Sequence, residues 1–340
     1  MGEFMVKIEI YTGDFTDEIG KLADAYEYKP YFFVTAAPKE GLNKIFRDRI
    51  GKLLTFSKSQ PDKAAFITAR DESGTLLGFM GMQVLDFDTA VLKIASGKIT
   101  FLVAGSCDMA NYKKARPVAD GLVAAGLDWL KERGVVFTNV RTAAWELALI
   151  HACESAGFYF VDNGIAGLWH KDNFTKYEKG GYDIRLFADK DLDRVLEIMR
   201  GAYTQDRFHL DPNIPYEAAE DLYQLWIRSC CKQPKEQEWV LIAERNREIK
   251  GFFQYEFNRE FSEATGIGLF SYGPAAVVRD RTSLGAYYSL LSFAVDDTVM
   301  RGSDYAMTRI PFGIQPILKL TLRLGPSFMT NDLTFHHWVK

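Results

Sequence analysis

His209 stands between Arg207 and Asp211 in the short run DRFHLDP, which places a candidate base, a cation and a carboxylate within five residues. An imidazole titrates near neutral pH, so His209 can take a proton from a substrate as a catalytic base. The Arg207 guanidinium can grip a phosphate with two parallel hydrogen bonds or pair with Asp211 nearby, and both residues are candidate substrate ligands. The same side chains could simply close a surface loop by local hydrogen bonds. His336 and His337 lie near the end of the chain in a segment that reads as a strand. Successive strand side chains face opposite ways, so only one of the two, His337 as the candidate, can point into a cleft, and a core or edge histidine is the other account. Cys107, Cys153, Cys230 and Cys231 show neither C-x-x-C spacing nor a zinc-type histidine pattern. Reduced structural thiols and no metal are expected.

The elements that must carry these residues occur twice. Arg133-Gly134, Arg141, Gly157 and Phe160 return as Arg301-Gly302, Arg309, Gly325 and Phe328 at one constant offset, and Ala25-Tyr26 returns as Ala202-Tyr203. A period of about half the chain means a duplicated domain rather than a solenoid. Arg141 and Arg309, equivalent in the repeat, read as structural. In the second half Thr282 or Ser283 can cap a helix with Leu284, Tyr287, Tyr288, Leu291, Val295 and Val299 on one face, stopped by Gly302. A strand from Tyr305 to Ile310 and a short helix from Ile317 to Leu324 follow, closed by Gly325. In the first half the equivalent helix is expected from Pro117, in its first turn, to Arg133. Next come a strand at Val135 to Val140 and a helix at Trp145 to Ala156. Each half opens on a strand, Ile8 to Ile10 and Ile184 to Leu186, and its middle reads as a hairpin turning at Asp71 to Thr75 or Asn246 to Glu248. Helices should pack on both faces of a central sheet.

The 340 residues are 47% hydrophobic and 25% charged, enough for two domains that each bury a core. A formal net charge of −4 gives no basic excess for a phosphate backbone, so nucleic acid is not an expected partner. No apolar run is long enough to span a bilayer and no signal peptide opens the chain, which predicts no membrane partner and a cytoplasmic protein. Met1 to Phe4 reads as a cloning remnant ahead of Met5.

The hairpin segments ITARDESGTLLGFMGMQV and LIAERNREIKGFFQYEF, with the closing ERGVVFTNVRTAAWELALIHACESAGF, resemble the GNAT acyltransferases over nearly the whole chain, twice. More narrowly, LDFDTAVLKIASGKI (Leu85 to Ile99) and AYTQDRFHLDPNIPYEAAEDLYQLWIRSC (Ala202 to Cys230) resemble pieces of the bacterial TDP-amino-sugar N-acyltransferases of the TDP-fucosamine acetyltransferase type. The resemblance implies an α/β (α+β) chain of two tandem GNAT-like domains, 5–178 and 179–340, each a mixed central sheet with helices on both faces. It implies an enzyme that moves an acyl group from acyl-CoA, acetyl-CoA or a hydroxyacyl-CoA, to the amine of a nucleotide-linked deoxysugar. A homodimer is a possible assembly. Another small amine as substrate, or a tandem pseudoenzyme that binds CoA or a partner without turnover, are the alternatives.

The family binds the pyrophosphate of CoA on backbone amides of a loop patterned Q/R-x-x-G-x-G/A that opens the long helix, at the positive end of its dipole. Carried over, this assigns Arg281, Thr282, Ser283, Gly285 and Ala286 to the cofactor, with Ala276 and Val278 from the preceding strand, whose backbone from Gly273 to Val278 would supply the donor to the thioester oxygen. The first half puts Pro117 opposite Gly285 and should be degenerate for CoA, and Gly285 could instead serve helix packing. Family members place a tyrosine acid four residues before the closing glycine and an asparagine seven before that. Here those positions hold Thr321 and Ile314 in the second half and Cys153 and Glu146 in the first. Thr321 is therefore the candidate at the reacting centre. A threonine hydroxyl is a far weaker acid than a phenol, so the expected chemistry runs without a tyrosine acid.

Overall fold

The computed structural model describes residues 5–105, 111–173, 181–232, 237–280 and 284–339. In chain order the first half holds β1 (Lys7–Ile10), α1 (Asp17–Ala25), α2 (Lys39–Ser59), β2 (Ala64–Arg70), β3 (Leu76–Val84), α3 (Asp86–Leu92), β4 (Ser96–Val103), α4 (Tyr112–Glu132), β5 (Phe137–Ala143), α5 (Leu147–Ser155) and β6 (Tyr159–His170). The second repeats the order with β7 (Asp183–Leu186), α6 (Leu192–Met199), α7 (Tyr216–Lys232), β8 (Glu238–Arg245), β9 (Glu248–Phe257), α8 (Arg259–Thr265), β10 (Leu269–Val277), α9 (Leu284–Met300), β11 (Tyr305–Pro311), α10 (Gln315–Leu322) and β12 (Ser327–Trp338).

Two compact units result, but they do not part at 178/179 as expected. One is Met1–Asn163 with Asn331–Lys340, the other Gly164–Thr330. In the first unit the strands run β1-β2-β3-β4-β5-β12, with β4 and β5 parallel and every other pair antiparallel. In the second, β7-β8-β9-β10-β11-β6 follow the same scheme with β10 and β11 parallel. The strand closing each sheet thus comes from the other half of the sequence: Gly164 to His170 pair with β11, and Asp332 to Trp338 pair with β5. A contiguous division cannot contain such a swap, because local patterning marks a strand without naming its neighbour.

Period-two alternation divides each sheet between two cores. In the first unit Ala65, Ile67 and Ala69 of β2 face α4 and α5, while Ala64 and Phe66 face α1 and α2. In the second, Leu241 and Ala243 of β8 pack under α9, while Val240 and Ile242 pack under α6 and α7. Helices therefore cover both faces of each sheet, as the repeat predicts. The hairpin turns also lie where expected: Asp71 Oδ1 accepts the amides of Ser73 and Thr75 at 2.9 Å each, and Asn246 and Arg247 both adopt positive φ, as a two-residue type I′ turn requires. Gly134 and Gly302 end α4 and α9 at φ +68° and +86°.

The start of α4 differs from expectation. The helix begins at Tyr112, so Pro117 sits inside it rather than in its first turn, and the ring removes one helical hydrogen bond there. Tyr112 Oη meets His151 Nδ1 at 2.8 Å, and Arg116 Nη2 donates to Ser155 Oγ at 2.8 Å, tying α4 to α5. Cys153, Cys230 and Cys231 are buried free thiols, with Cys153 and Cys231 each pushed by burial to a pKa of about 12. Cys107 lies outside the described residues.

Candidate functional site

The second unit contains a cavity made by two strands that stop pairing. β10 and β11 are in register only from Leu269–Tyr305 to Tyr272–Thr308. On its other side β10 slips against β9 between Tyr272 and Ala275. Gly273 and Pro274 occupy that irregularity, and their chemistry explains it. Proline has no amide hydrogen for the ladder, and a bulge bends its strand away from the flat path. A Cβ on Gly273 would collide with Oε1 of Gln254, a buried side chain whose Nε2 donates to Glu238 Oε1 at 3.1 Å. The bare backbone is thus needed for Gln254 to lie across the bulge.

Between the parted strands is a space of about 490 Å³, closed on one side by α9 and α10 and on the other by the loop after α6. Three phenols line it, Tyr203, Tyr272 and Tyr287. Ala275 N–H donates to Tyr203 Oη at 3.2 Å, and the Tyr203 hydroxyl reaches Ala275 O at 3.4 Å. Tyr203 stacks on Tyr223 with centroids 4.8 Å apart, and burial raises its pKa to about 12. Tyr287 enters from α9, its hydroxyl pKa pushed up by burial and partly drawn back by the hydroxyl of Thr321. At the mouth are Arg279, whose guanidinium holds Gly201 O, and Asp280, 3.7 Å from Lys250. Arg309 lines the cavity as well, lying over Gly164.

His209 is not in the cavity. Its Nδ1 lies 2.5 Å from Asp206 and its Nε2 3.1 Å from Glu220, with the histidine side chain 1% exposed. Burial alone would lower its pKa, but the two carboxylates outweigh it and the pKa is raised. Both ring nitrogens are taken up by carboxylates and the side chain does not line the cavity, so the geometry lends no support to a role as base. Its work is positional: Asp206 accepts Phe208 N–H at 2.9 Å, Glu220 accepts Gly201 N–H at 2.7 Å, and the loop so pinned presents Thr204 and Gln205 to the cavity. Asp211 is buried and accepts Asn213 N–H at 2.9 Å, a local turn, and Arg207 lies over the Phe208 ring at 4.5 Å. Neither lines the cavity.

The other candidates divide. His337 belongs to the first unit, packed on Phe158 at 4.9 Å and beside Gly157, and is not among the residues that line the second-unit cavity. Thr321 is fully buried on α10 behind the lining, and its hydroxyl approaches Tyr287 without closing a full hydrogen bond. Ala276 and Val278 do line the cavity, but Val278 N–H is already given to Lys250 O at 2.9 Å. Ala286 is wholly buried in the core beneath α9. A Cβ on Gly285 would come within 3.1 Å of the Tyr182 ring, so the bare backbone lets this ring pack close to α9. Arg281, Thr282 and Ser283 lie outside the described residues.

Sequence reasoning missed Tyr203 and Tyr287. A signal existed for the first, because the repeated Ala-Tyr pair marks one structural position. In the first unit its counterpart Tyr26 sends its hydroxyl to Glu146 Oε2 at 3.2 Å. Tyr287 was legible only as a member of an apolar helix face. Among the described residues no group of three His, Cys, Asp or Glu side chains is arranged to hold a metal ion, and no helix is long and apolar enough to cross a membrane.

No family model and no curated protein matches the chain in sequence. In structure it is similar to a tandem GNAT protein from the clavulanic acid biosynthesis pathway, at a TM-score of 0.58 and 11% identity over 99% of both chains. It is also similar to a GCN5-related N-acetyltransferase from Sphaerobacter thermophilus, at 0.59 and 14% identity over 98% of this chain and 96% of that one. A third likeness is to a GCN5-related glucosamine N-acetyltransferase region in a fungal multi-domain GH3 beta-N-acetylglucosaminidase, at 0.61 and 12% identity, covering 99% of this chain and 38% of that one. The fold is therefore that of a tandem GNAT protein.

Proposed function

We propose that the chain is an acyl-CoA-dependent N-acyltransferase whose reacting centre is the cavity between β10 and β11. The observation that carries this reading is the parting of the two parallel strands at the Gly273–Pro274 bulge, which opens a slot through the sheet with helices on one side and a pinned loop on the other. Such a slot can hold a thioester in line with an amine arriving from the loop side. The amine lone pair forms the new C–N bond, and the C–S bond breaks with its electron pair leaving on sulfur. The nitrogen sheds its extra proton to water. The thiolate is a moderate base, since thiols ionise near pH 8–9.

Within the slot, Ala275 N–H is aimed at the reacting carbonyl oxygen once Tyr203 yields it, and Tyr287 offers a proton to the leaving sulfur from the α9 side. This replaces the expectation of chemistry without a tyrosine acid: the phenol comes from α9 instead of α10. For the acceptor we retain the amino group of a nucleotide-linked deoxysugar. Its support is the Ala202 to Cys230 segment, whose first residues form the loop wall of the cavity. Arg207 and Asp211 carry no part of that support.

One observation favours binding without turnover. In the resting cavity the amides of Ala275 and Val278 are already paired with Tyr203 and Lys250. Mass spectrometry of mixtures of several acyl-CoAs with a panel of TDP-amino sugars and free amines separates the readings. Acylated TDP-amino sugar supports the full proposal, and acylation of free amines equally well removes the nucleotide sugar. CoA binding with no product on any amine leaves the non-catalytic module.

A further inference from the structure

The slot does not end where the strands begin to pair. On the α9 side the cavity is also lined by Trp169, Phe253, Tyr272 and Leu291, with Phe253 opposite Ala275 at the level of the bulge and Trp169 opposite Ala306, past the Tyr272–Thr308 row. These four are between 1% and 7% exposed and belong to one core cluster, so the space reaches into the interior of the unit. Its polar atoms are turned to other partners. The Trp169 indole N–H donates to Leu324 O at 3.0 Å, and Tyr272 Oη meets Thr298 Oγ1 at 3.4 Å. What remains toward the space is ring and methyl surface. Water there would find too few hydrogen-bond partners, whereas an alkyl or aryl group would find close contacts on every side. The polar lining is concentrated elsewhere: Arg279 and Asp280 at the mouth, and Gln205 and Arg309 among the groups on the loop side and on β11.

Resting on the acyl-transfer reading above, we infer that the donor carries an apolar acyl chain longer than acetyl, and that this inner chamber is its seat. The arm of the donor enters at the polar mouth and its thioester lies at the bulge. The acyl chain continues in the same direction into the chamber. The amine acceptor approaches from the side of Tyr203 and Gln205, where polar groups can receive it.

The test needs no acceptor. Calorimetry on the full chain compares CoA with S-ethyl, S-butyl, S-hexyl and S-octyl CoA thioethers, which cannot react. Each methylene added after ethyl should tighten Kd about fourfold until the chamber is full, the equivalent of about 0.8 kcal/mol per buried methylene. Leu291→Phe, which fills part of the chamber, should abolish that gain for hexyl and octyl relative to CoA on the same variant. The wild-type series decides alone if the variant does not fold. CoA binding with a flat or weakening series, as would follow if the acceptor filled the chamber, overturns the inference and leaves the acyl-CoA reading standing. A gain with chain length that Leu291→Phe leaves untouched puts the chain elsewhere and also overturns it. No binding of CoA itself overturns both.

Discussion

Tyr203 holds the Ala275 amide, which on the acyl-transfer reading donates to the incoming carbonyl oxygen. Breaking its hydrogen bond to Ala275 costs the donor about 0.5–1.5 kcal/mol. Tyr203→Phe keeps the stack on Tyr223 and frees the amide, so acyl-CoA should bind about two- to tenfold tighter by calorimetry. Unchanged or weaker binding would mean the hydroxyl is itself a ligand. On the acyl-transfer reading, Tyr287 is the phenol that returns a proton to sulfur. Tyr287→Phe should lower kcat by about 10²-fold or more with little effect on the KM for acyl-CoA, while Thr321→Ala keeps most activity. The reverse ranking, measured by thiol release, would return the role to the threonine. His209 makes a different prediction, because its clamp is a matter of stability. Its folded pKa is raised, so its contribution is complete below the unfolded value of about 6.5 and is lost as pH rises through the folded one. Asp206 has the opposite sign: its pKa is lowered, and its contribution is present above about pH 3.9 and lost as pH falls through the folded value. The urea midpoint should therefore fall between pH 6 and pH 9 in the wild type more than in His209→Gln. Equal slopes would show that the imidazolium is not the stabilising form.

The bulge in β10 is set by three residues acting on one element. Pro274 removes a ladder amide, Gly273 leaves room, and Gln254 fills that room from β9. Gly273→Ala should cost about 1–3 kcal/mol through overpacking against Gln254 and should weaken acyl-CoA binding, since it moves the strand that lines the slot. In a double-mutant cycle with Gln254→Ala the two costs should fall short of adding, because the second change removes what the first collides with. Strict additivity in denaturant unfolding would rule out the contact as the cause. The existence of α9 was readable from apolar periodicity and the hairpins from their turn residues, while the strand of β10 followed only from the resemblance. The bulge was not readable, since it depends on which side chain of β9 lies opposite Gly273, and register is a property of two segments at once. For the same reason the Tyr182 ring packed against Gly285 was not readable from the sequence around that glycine.

At the scale of the molecule the exchanged strands matter most. Removing residues 331–340 takes the last strand from β5, a partner of the opposite end of the sequence. Amide exchange at Phe137 to Ala143 should then rise strongly, while β8 and β9 of the second unit stay protected. Faster exchange confined to the second unit would contradict the pairing. The duplication, the order of elements in each half and the two-faced sheets were determined by the sequence itself, through repeated glycine stops, helical and strand periods and turn chemistry, all of which are local. Three things waited for the tertiary structure. Which half receives each closing strand decides that His337 belongs to the first unit. How the Asp206 and Glu220 carboxylates converge decides that both ring nitrogens of His209 are engaged. Where α9 passes places Tyr287, rather than Thr321, at the lining. Each depends on distances between segments remote in sequence, and local propensity carries no information about those distances.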